Sequence, residues 1–424
     1  MTMRYLLAVW DGGGATPPCL GAARMLVERG HEVVVYGDPS LTAMVAATGA
    51  EHRTWPTAPQ RASSAIEHDV LRDWEPRTPI GVFNRLIDRM AAGPADRFAA
   101  DVGAALDAEH FDAVLADAIV FGALVAAEAR GIPSAVLVGS AYLAPSPERS
   151  MFDPGSERSM GGFARARDRL AAAMLHRMWD RGLGALNAAR ASSGLDPLAH
   201  LWDQWGRADR VLMLTSVAFD DPSGVPDNVR YVGPVLEDLP ADGDATPTAG
   251  AGALVVVGLS SSYMEQTDLL GRIARALASL PVRGVITTGP AIDPVEVPTA
   301  DNLRIVRAAS HAELFAHADL VITHAGHGTV IKALATGVPM VCVPLGRDQP
   351  MNAARVVRLG AGVRLSPKAG TRAIADAVTQ ALADPSYRQA AAAIAAGIQA
   401  EIASGTLLSE LEGLAAVEPT PSEA

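Results

Sequence analysis

A chain of 424 residues with a net charge of −12 is too long for one compact core and implies two domains of about 200 residues each. The acidic balance argues against a nucleic-acid footprint. The two cysteines, Cys19 and Cys342, supply neither a disulfide framework nor a metal set, which fits a reducing, cytoplasmic setting. The apolar run Tyr5–Trp10 is too short for a signal core, and no stretch reads as long enough for a membrane span.

Residues 4–10 read as a first strand, followed by a helix from about Pro18 to Arg29 and a second buried strand, 32–36. This β–α–β opening is that of a doubly wound domain. Gly12-Gly13-Gly14 fails the dinucleotide fingerprint, because Pro17 occupies its third glycine position. Gly13, Gly14 and Ala15 instead read as a loop passing close to an acceptor or sugar. The irregular stretches 55–79, with Trp55 and Trp74, and 141–162 read as acceptor-binding loops. Strands follow at 111–117, 134–138 and 210–214, with a helix over about 163–191 whose Met174, Met178 and Trp179 are assigned to core packing before pocket lining. The echo of Glu148–Met151 in Glu157–Met160 reads as chance.

Residues 234–250 are a linker by composition, dividing the chain into domains 1–233 and 251–424. The second half restarts the rhythm: strand 253–259, Ser260-Ser261-Ser262, a helix to Leu280, and strands 282–287 and 303–306. Helices at 371–383 and 386–404 close the chain, with a frayed tail at 418–424. The fold class is α/β, with two parallel sheets whose strand ends meet at a common cleft, the geometry of a two-substrate transferase.

The most informative stretch lies between the last strands. Leu320–Thr323 runs into His324-Ala325-Gly326-His327-Gly328-Thr329, a helix extends to Thr336, Gly337-Val338-Pro339 turns the chain, and a strand leads to Gly346-Arg347-Asp348-Gln349. Small residues ahead of a helix admit an anion to the free N–H groups and the positive dipole end. The segment therefore reads as a diphosphate cradle. It is not a Walker A loop, because Gly-Lys-Ser/Thr does not follow.

This ordered pattern resembles the donor signature of the metal-independent, nucleotide-sugar-dependent glycosyltransferases of the GT-B fold, family 1, in particular its bacterial natural-product group. His324, Gly326, Thr329, Gly337, Pro339, Asp348 and Gln349 carry the match. The resemblance implies two Rossmann-like domains, the amino half for the acceptor and the carboxyl half for the nucleotide sugar, with no cofactor and no metal. It places the donor diphosphate at His324, Gly326, His327, Gly328, Thr329, Ser260 and Ser261, the sugar hydroxyls at Asp348 and Gln349, and the nucleoside near Arg307 and Ala308. For the serines helix capping is the competing reading, as it is for Asp348; His327 either touches donor or packs beside the loop.

The chain departs from the family at two places. Lys332 stands where many UDP-using members carry a glutamate that holds the ribose hydroxyls, and lysine accepts no hydrogen bond. This tilts the donor toward a dTDP-sugar, with UDP-sugar as the second choice. The family's first loop, Gly-His-x-x-Pro, appears as Gly14-Ala15-Thr16-Pro17-Pro18, so Ala15 replaces the usual base. Asp117 matches the aspartate that normally supports that histidine and becomes the candidate base, with Asp11 second and His68 of the variable loop held open. The expected function is an inverting transfer to an apolar or aromatic small molecule such as a natural product. The rivals are a nucleotide-sugar epimerase on the same scaffold and a non-catalytic auxiliary partner, with an NAD-dependent oxidoreductase a distant third. Self-association and an auxiliary protein are the partner expectations.

Overall fold

The structure is a computed structural model describing residues 2–76, 78–146, 162–238 and 245–415. Most of the 141–162 loop, the 148–160 echo, part of the 234–250 linker and the tail lie outside the described residues.

The first sheet contains β1 (Arg4–Ala8), β2 (Glu32–Tyr36), β3 (Glu51–Arg53), β4 (Ala113–Asp117), β5 (Ser134–Val138), β6 (Arg210–Met213) and β7 (Val229–Tyr231), all parallel, in the order β3-β2-β1-β4-β5-β6-β7. Its central strands are apolar on both faces because helices cover both. Alternate residues of β1 show this: Leu6 and Ala8 pack in one core with Phe98 and Phe121, while Tyr5 and Leu7 pack in another with Leu20 and Leu26. The covering helices are α1 (Thr16–Glu28), α2 (Thr42–Thr48), α3 (Pro79–Leu86), α4 (Ala95–Ala108), α5 (Phe121–Glu128), α6 (Gly162–Trp179) and α7 (Leu183–Ser192). The helix expected over 163–191 is thus two, parted by a 3-10 turn at Asp180–Gly182, where Gly182 has no room for a Cβ beside Ala92 and Ile87.

The second sheet contains β8 (Ala253–Gly258), β9 (Val282–Thr287), β10 (Leu303–Val306), β11 (Leu320–Thr323), β12 (Met340–Cys342) and β13 (Gly362–Arg364), in the order β10-β9-β8-β11-β12-β13. Its helices are α8 (Thr267–Ala278), α9 (His311–His317), α10 (His327–Ala335), α11 (Gln349–Arg358), α12 (Thr371–Ala383) and α13 (Pro385–Ala403). The last helix, α14 (Thr406–Ala415), leaves this domain after a left-handed turn at Gly405, φ 66°. Its Leu407, Leu411 and Leu414 bury against α1 and β1, and the Tyr5 hydroxyl donates to the Leu411 carbonyl at 3.2 Å. The division expected at 251–424 is corrected at this end: spacing of the leucines at i, i+4 and i+7 makes a stripe that only the first sheet accommodates.

One helical stretch, Pro385–Leu414, is long and apolar enough to cross a membrane by length and composition, contrary to the sequence reading. Here it bends at Gly405 and packs on both domains, Ala391 and Ile398 on the second core and the α14 leucines on the first. The edge strands β3, β7 and β13 escaped the sequence reading, because three residues each are too few to display a period.

Both sheets reverse winding direction at one point, between β1 and β4 in the first and between β8 and β11 in the second. Carboxyl-terminal strand ends at such a switch point leave a crevice. The two crevices face each other across the cleft.

Candidate active site between the two sheets

A cavity of about 1480 Å³ fills this cleft, lined from one side by Trp10, Asp117 and Trp179 and from the other by Ser260, His324 and Asp348. Its residues come from loops at the carboxyl ends of both sheets, among them those after β1, β4, β8, β11 and β12, and from α6.

The cradle has the form expected of an anion site. After β11 the backbone turns through Ala325, φ 66°, held by its amide to Thr323 Oγ1 at 3.1 Å and by Asn352 Nδ2 to its carbonyl at 3.1 Å. α10 then starts with Gly326 as its N-terminal flanking residue and no side-chain cap, which leaves first-turn amides open to the cavity. A Cβ on Gly326 would lie 2.5 Å from His324 Nε2, so glycine is what lets the imidazole lie over the helix start. His324 is buried, its Nδ1 has no partner, and desolvation lowers its pKa to about 4. It is therefore neutral at pH 7 and carries one N–H. Gly326→Ala should displace this ring and weaken nucleoside diphosphate binding at least tenfold by calorimetry, with circular dichroism unchanged; unaltered binding would contradict the role given to the ring.

The supporting loop after β8 is pinned from below. Ser260 and Ser262 hydroxyls meet at 3.2 Å, and the buried Gln266 donates to the carbonyls of Ser260 and Ser262 at 3.2 and 3.3 Å. Ser261 faces the first domain: its Oγ lies 3.0 Å from where a Cβ of Gly13, φ 71°, would stand. Gly328 likewise approaches the Gly14 carbonyl, 3.3 Å from its own missing Cβ. Thr329 lines the cavity. His327 resolves toward packing: its Nε2 meets Thr215 Oγ1 at 2.8 Å and its ring lies against Phe219, so the imidazole binds the first domain even as its backbone opens α10.

Asp348 and Gln349 stand at the cavity wall but are not equally available. Desolvation raises the Asp348 carboxyl, and Asn352 donates to its Oδ2 at 2.7 Å. Asp348 caps no amide of α11. Gln349 Oε1 accepts from the amides of Leu345 and Gly346 at 2.8 and 3.0 Å, and its Nε2 lies 3.3 Å from Met264 Sδ. Gln349 thus shapes the loop that presents Asp348. Arg307 and Ala308 line the far end, Arg307 donating to the Pro290 carbonyl at 3.2 Å. Lys332 is paired at 2.6 Å with Asp238, whose other oxygen accepts from Ser310 Oγ and the Ala312 amide at 2.9 Å each. A carboxylate from the linker therefore returns to the neighbourhood where the family glutamate was missed.

In the first domain Asp117 lies at the end of β4, 3% exposed. Trp10 Nε1 and the Ile119 amide donate to its Oδ1 at 3.1 and 3.2 Å. Among the described residues Oδ2 meets only the Cys19 thiol, at 3.8 Å. Desolvation outweighs these donors and raises the Asp117 pKa to about 6. Ala15 lines the cleft beside it without a side chain that can take a proton. Trp10 was legible in principle: β1 and β4 are neighbours, Ala8 opposite Ala116, so residues just past each end meet.

Three sequence expectations for this domain are corrected. Asp11 turns away from the cleft, accepting from Ser40 Oγ at 2.8 Å and pairing with Arg61 at 3.4 Å, so it is no base candidate. Trp55 is 1% exposed in the core, packed on Phe98 with ring centroids 4.8 Å apart, because its apolar bulk is worth more there than at an acceptor surface. His68 is exposed and bonded to Ser63 Oγ at 2.7 Å, away from the cavity. Trp74 does reach the cleft, its ring edge-on to Tyr263 of the second domain at 5.3 Å, and the neighbouring Asp73 accepts from Arg347 Nε at 2.6 Å. These contacts tie a first-domain loop to the sugar-side loop. A further interdomain ion pair, Arg355 to Asp220 at 3.1 Å, is buried below. Arg347→Ala leaves the buried Asp73 carboxylate without its cation, so it should raise KM at least tenfold through displacement of the Asp73–Trp74 loop, with kcat nearly unchanged; a large fall in kcat would mean that Arg347 touches the reacting sugar.

The family model for UDP-glucoronosyl and UDP-glucosyl transferase matches residues 98–396, spanning the later part of the first domain, the linker and most of the second. The chain belongs to that family. It is 30% identical over 403 residues to 4'-demethylrebeccamycin synthase of Lentzea aerocolonigenes, covering 92% of this chain and 94% of that protein. Among solved structures it resembles the glycosyltransferase of kitacinnamycin, TM-score 0.72, 24% identical, covering 97% of this chain and 99% of that one. It also resembles the glycosyltransferase VinC in complex with dTDP, TM-score 0.71, 18% identical, covering 97% and 99%. The fold is GT-B, and the chain is a glycosyltransferase of the natural-product type.

Proposed function

We propose that this glycosyltransferase is inverting and metal-independent, that its donor is a nucleoside diphosphate sugar with dTDP favoured over UDP, and that its acceptor is an apolar or aromatic small molecule. The observation that carries the proposal is the pairing of a buried, neutral imidazole at an uncapped helix start with a buried carboxylate in the same cavity. In this reading the diphosphate lies against the α10 amides, Thr329 and the His324 N–H, which hold the departing charge. Asp117 Oδ2 takes the acceptor proton as acceptor oxygen, or another acidic atom, attacks the anomeric carbon from the opposite face. A carboxylate with a pKa near 6 is matched to a phenol or another acidic acceptor better than to a simple alcohol.

The aromatic wall of the first domain supports the acceptor class: Phe83 on Trp179, Trp179 on Trp202 and Trp202 on Trp205, with centroids 4.6, 4.7 and 4.6 Å apart. Trp179, Met178 and Leu175 line the cavity, whereas Met174 is exposed. The dTDP preference is supported by Lys332, which offers no acceptor. The VinC structure holds dTDP.

Calorimetry with dTDP and UDP, followed by product analysis with and without aromatic acceptors, tests the whole reading. Tighter binding of dTDP and a glycoside of inverted anomeric configuration, formed equally in EDTA, are expected. Donor converted without acceptor would indicate the epimerase, and donor bound without turnover until a second protein is added would indicate the auxiliary role.

A further inference from the structure

Outside the transfer site, His176, Asp180 and His200 converge on one point. His176 and Asp180 are four residues apart across the end of α6, which sets both side chains on one face. His200 arrives from the extended segment before the 3-10 turn Leu201–Arg207, anchored by the Leu201 amide to Asp180 Oδ1 at 3.0 Å. Its Nδ1 lies 2.8 Å from Asp180 Oδ2, its ring centroid lies 4.8 Å from that of His176, and one donor atom from each of the three residues falls within 4.8 Å of the others. Among the described residues, His176 Nδ1 is buried without a hydrogen-bond partner. A buried, unpartnered imidazole nitrogen is costly unless something occupies it. Arg181, next in sequence, turns away to Asp88 at 3.0 Å, so the pairing of Asp180 is with His200.

We infer that these three side chains form a binding site for a borderline divalent transition metal such as Zn2+ or Ni2+, built into the acceptor wall. Two imidazoles and one carboxylate with an open fourth position suit such ions, whereas Ca2+ and Mg2+ demand more oxygen ligands. Ligand atoms about 2.0–2.2 Å from the metal stand about 3.3–3.6 Å apart in a tetrahedron. Rotation of the exposed His200 widens its contact with Asp180 enough to admit the ion in place of the proton they share.

The ion takes no part in glycosyl transfer. It would cross-link the end of α6, where Leu175, Met178 and Trp179 face the cavity, to the segment carrying Trp202, which packs on Trp179 at 4.7 Å. Its consequence is a stiffened acceptor wall, and it stands or falls separately from the identity of donor and acceptor.

The test uses the full chain without a polyhistidine tag, stripped with EDTA and dialysed. Calorimetry with ZnCl2 should show one site per chain, and Ni2+ should quench tryptophan fluorescence with the same stoichiometry, because Trp179 and Trp202 lie beside the site. His200→Ala, at an exposed position, and Asp180→Asn should each weaken Zn2+ binding at least tenfold and lose the Ni2+ quench, with circular dichroism unchanged. Absence of Zn2+ uptake by the parent chain, or equal uptake and quench in both variants, overturns the proposal. His176→Gln provides an independent check and should behave as the other two do.

Discussion

Asp117→Asn should reduce turnover by about 10²–10⁴-fold, the usual contribution of a general base, while donor affinity measured by calorimetry stays within about twofold. The substitution keeps the shape and leaves Oδ1 able to accept from Trp10 and Ile119, so it removes basicity and little else. The pH profile sharpens the point. Because the Asp117 pKa is raised to about 6, activity should fall as pH drops through that value. Trp10→Phe, which deletes a hydrogen bond to the ionised form, should move the limb upward. Restoring the family's histidine by Ala15→His should leave activity present.

Stability should respond in the opposite sense. A carboxyl whose folded pKa exceeds its unfolded value binds its proton more tightly when folded, so ionisation costs stability between about pH 4 and 6. At pH 7 that cost is on the order of 2–3 kcal/mol for a shift of about two units. The asparagine variant should therefore have a higher Tm than the parent at pH 7 and lose the advantage near pH 4. An inactive variant with no gain in Tm would leave Asp117 as base but refute its desolvation. Full turnover in Asp117→Asn would remove it as base altogether.

His324→Ala should lower kcat by about 10²–10³, the effect of deleting one preorganised donor from a site of developing negative charge, and should weaken nucleoside diphosphate binding. The imidazole is held neutral, with a pKa of about 4, so its single N–H is present throughout the neutral range. No limb of the pH profile above pH 5 should belong to it. His324→Gln, which retains an N–H donor at similar reach, should recover part of kcat, whereas a purely structural role would be rescued by apolar replacements of similar volume. Equal activity of the alanine variant would place the diphosphate elsewhere.

How much of this was readable from the residues alone varies by scale. The strand–small-residue–helix order around His324 and the spacing to Asp348 and Gln349 pointed to an anion cradle and a two-domain α/β transferase, because backbone amides, dipoles and strand periodicity are local properties. Asp117 was legible through the family resemblance, as the match to its supporting aspartate at the end of a buried strand. Asp11 shares that strand-end position, and yet it turned toward Ser40 and Arg61; which way a loop carboxylate faces depends on partners 29 and 50 residues away. Trp55 failed similarly, since an aromatic residue in a Pro-rich stretch looks like a surface anchor until Tyr36 and Phe98 close around it.

Composition and periodicity by themselves determined the fold class, the rhythm of the two halves and the cradle, all set by interactions within a few residues. Tertiary structure alone decided that α14 crosses back to the first sheet and that Asp238 answers Lys332. It also decided that Gln349 braces a loop and that burial raises the Asp117 carboxyl. Each of those depends on burial and on contacts between distant segments, where dielectric and partner geometry, not residue type, set the chemistry.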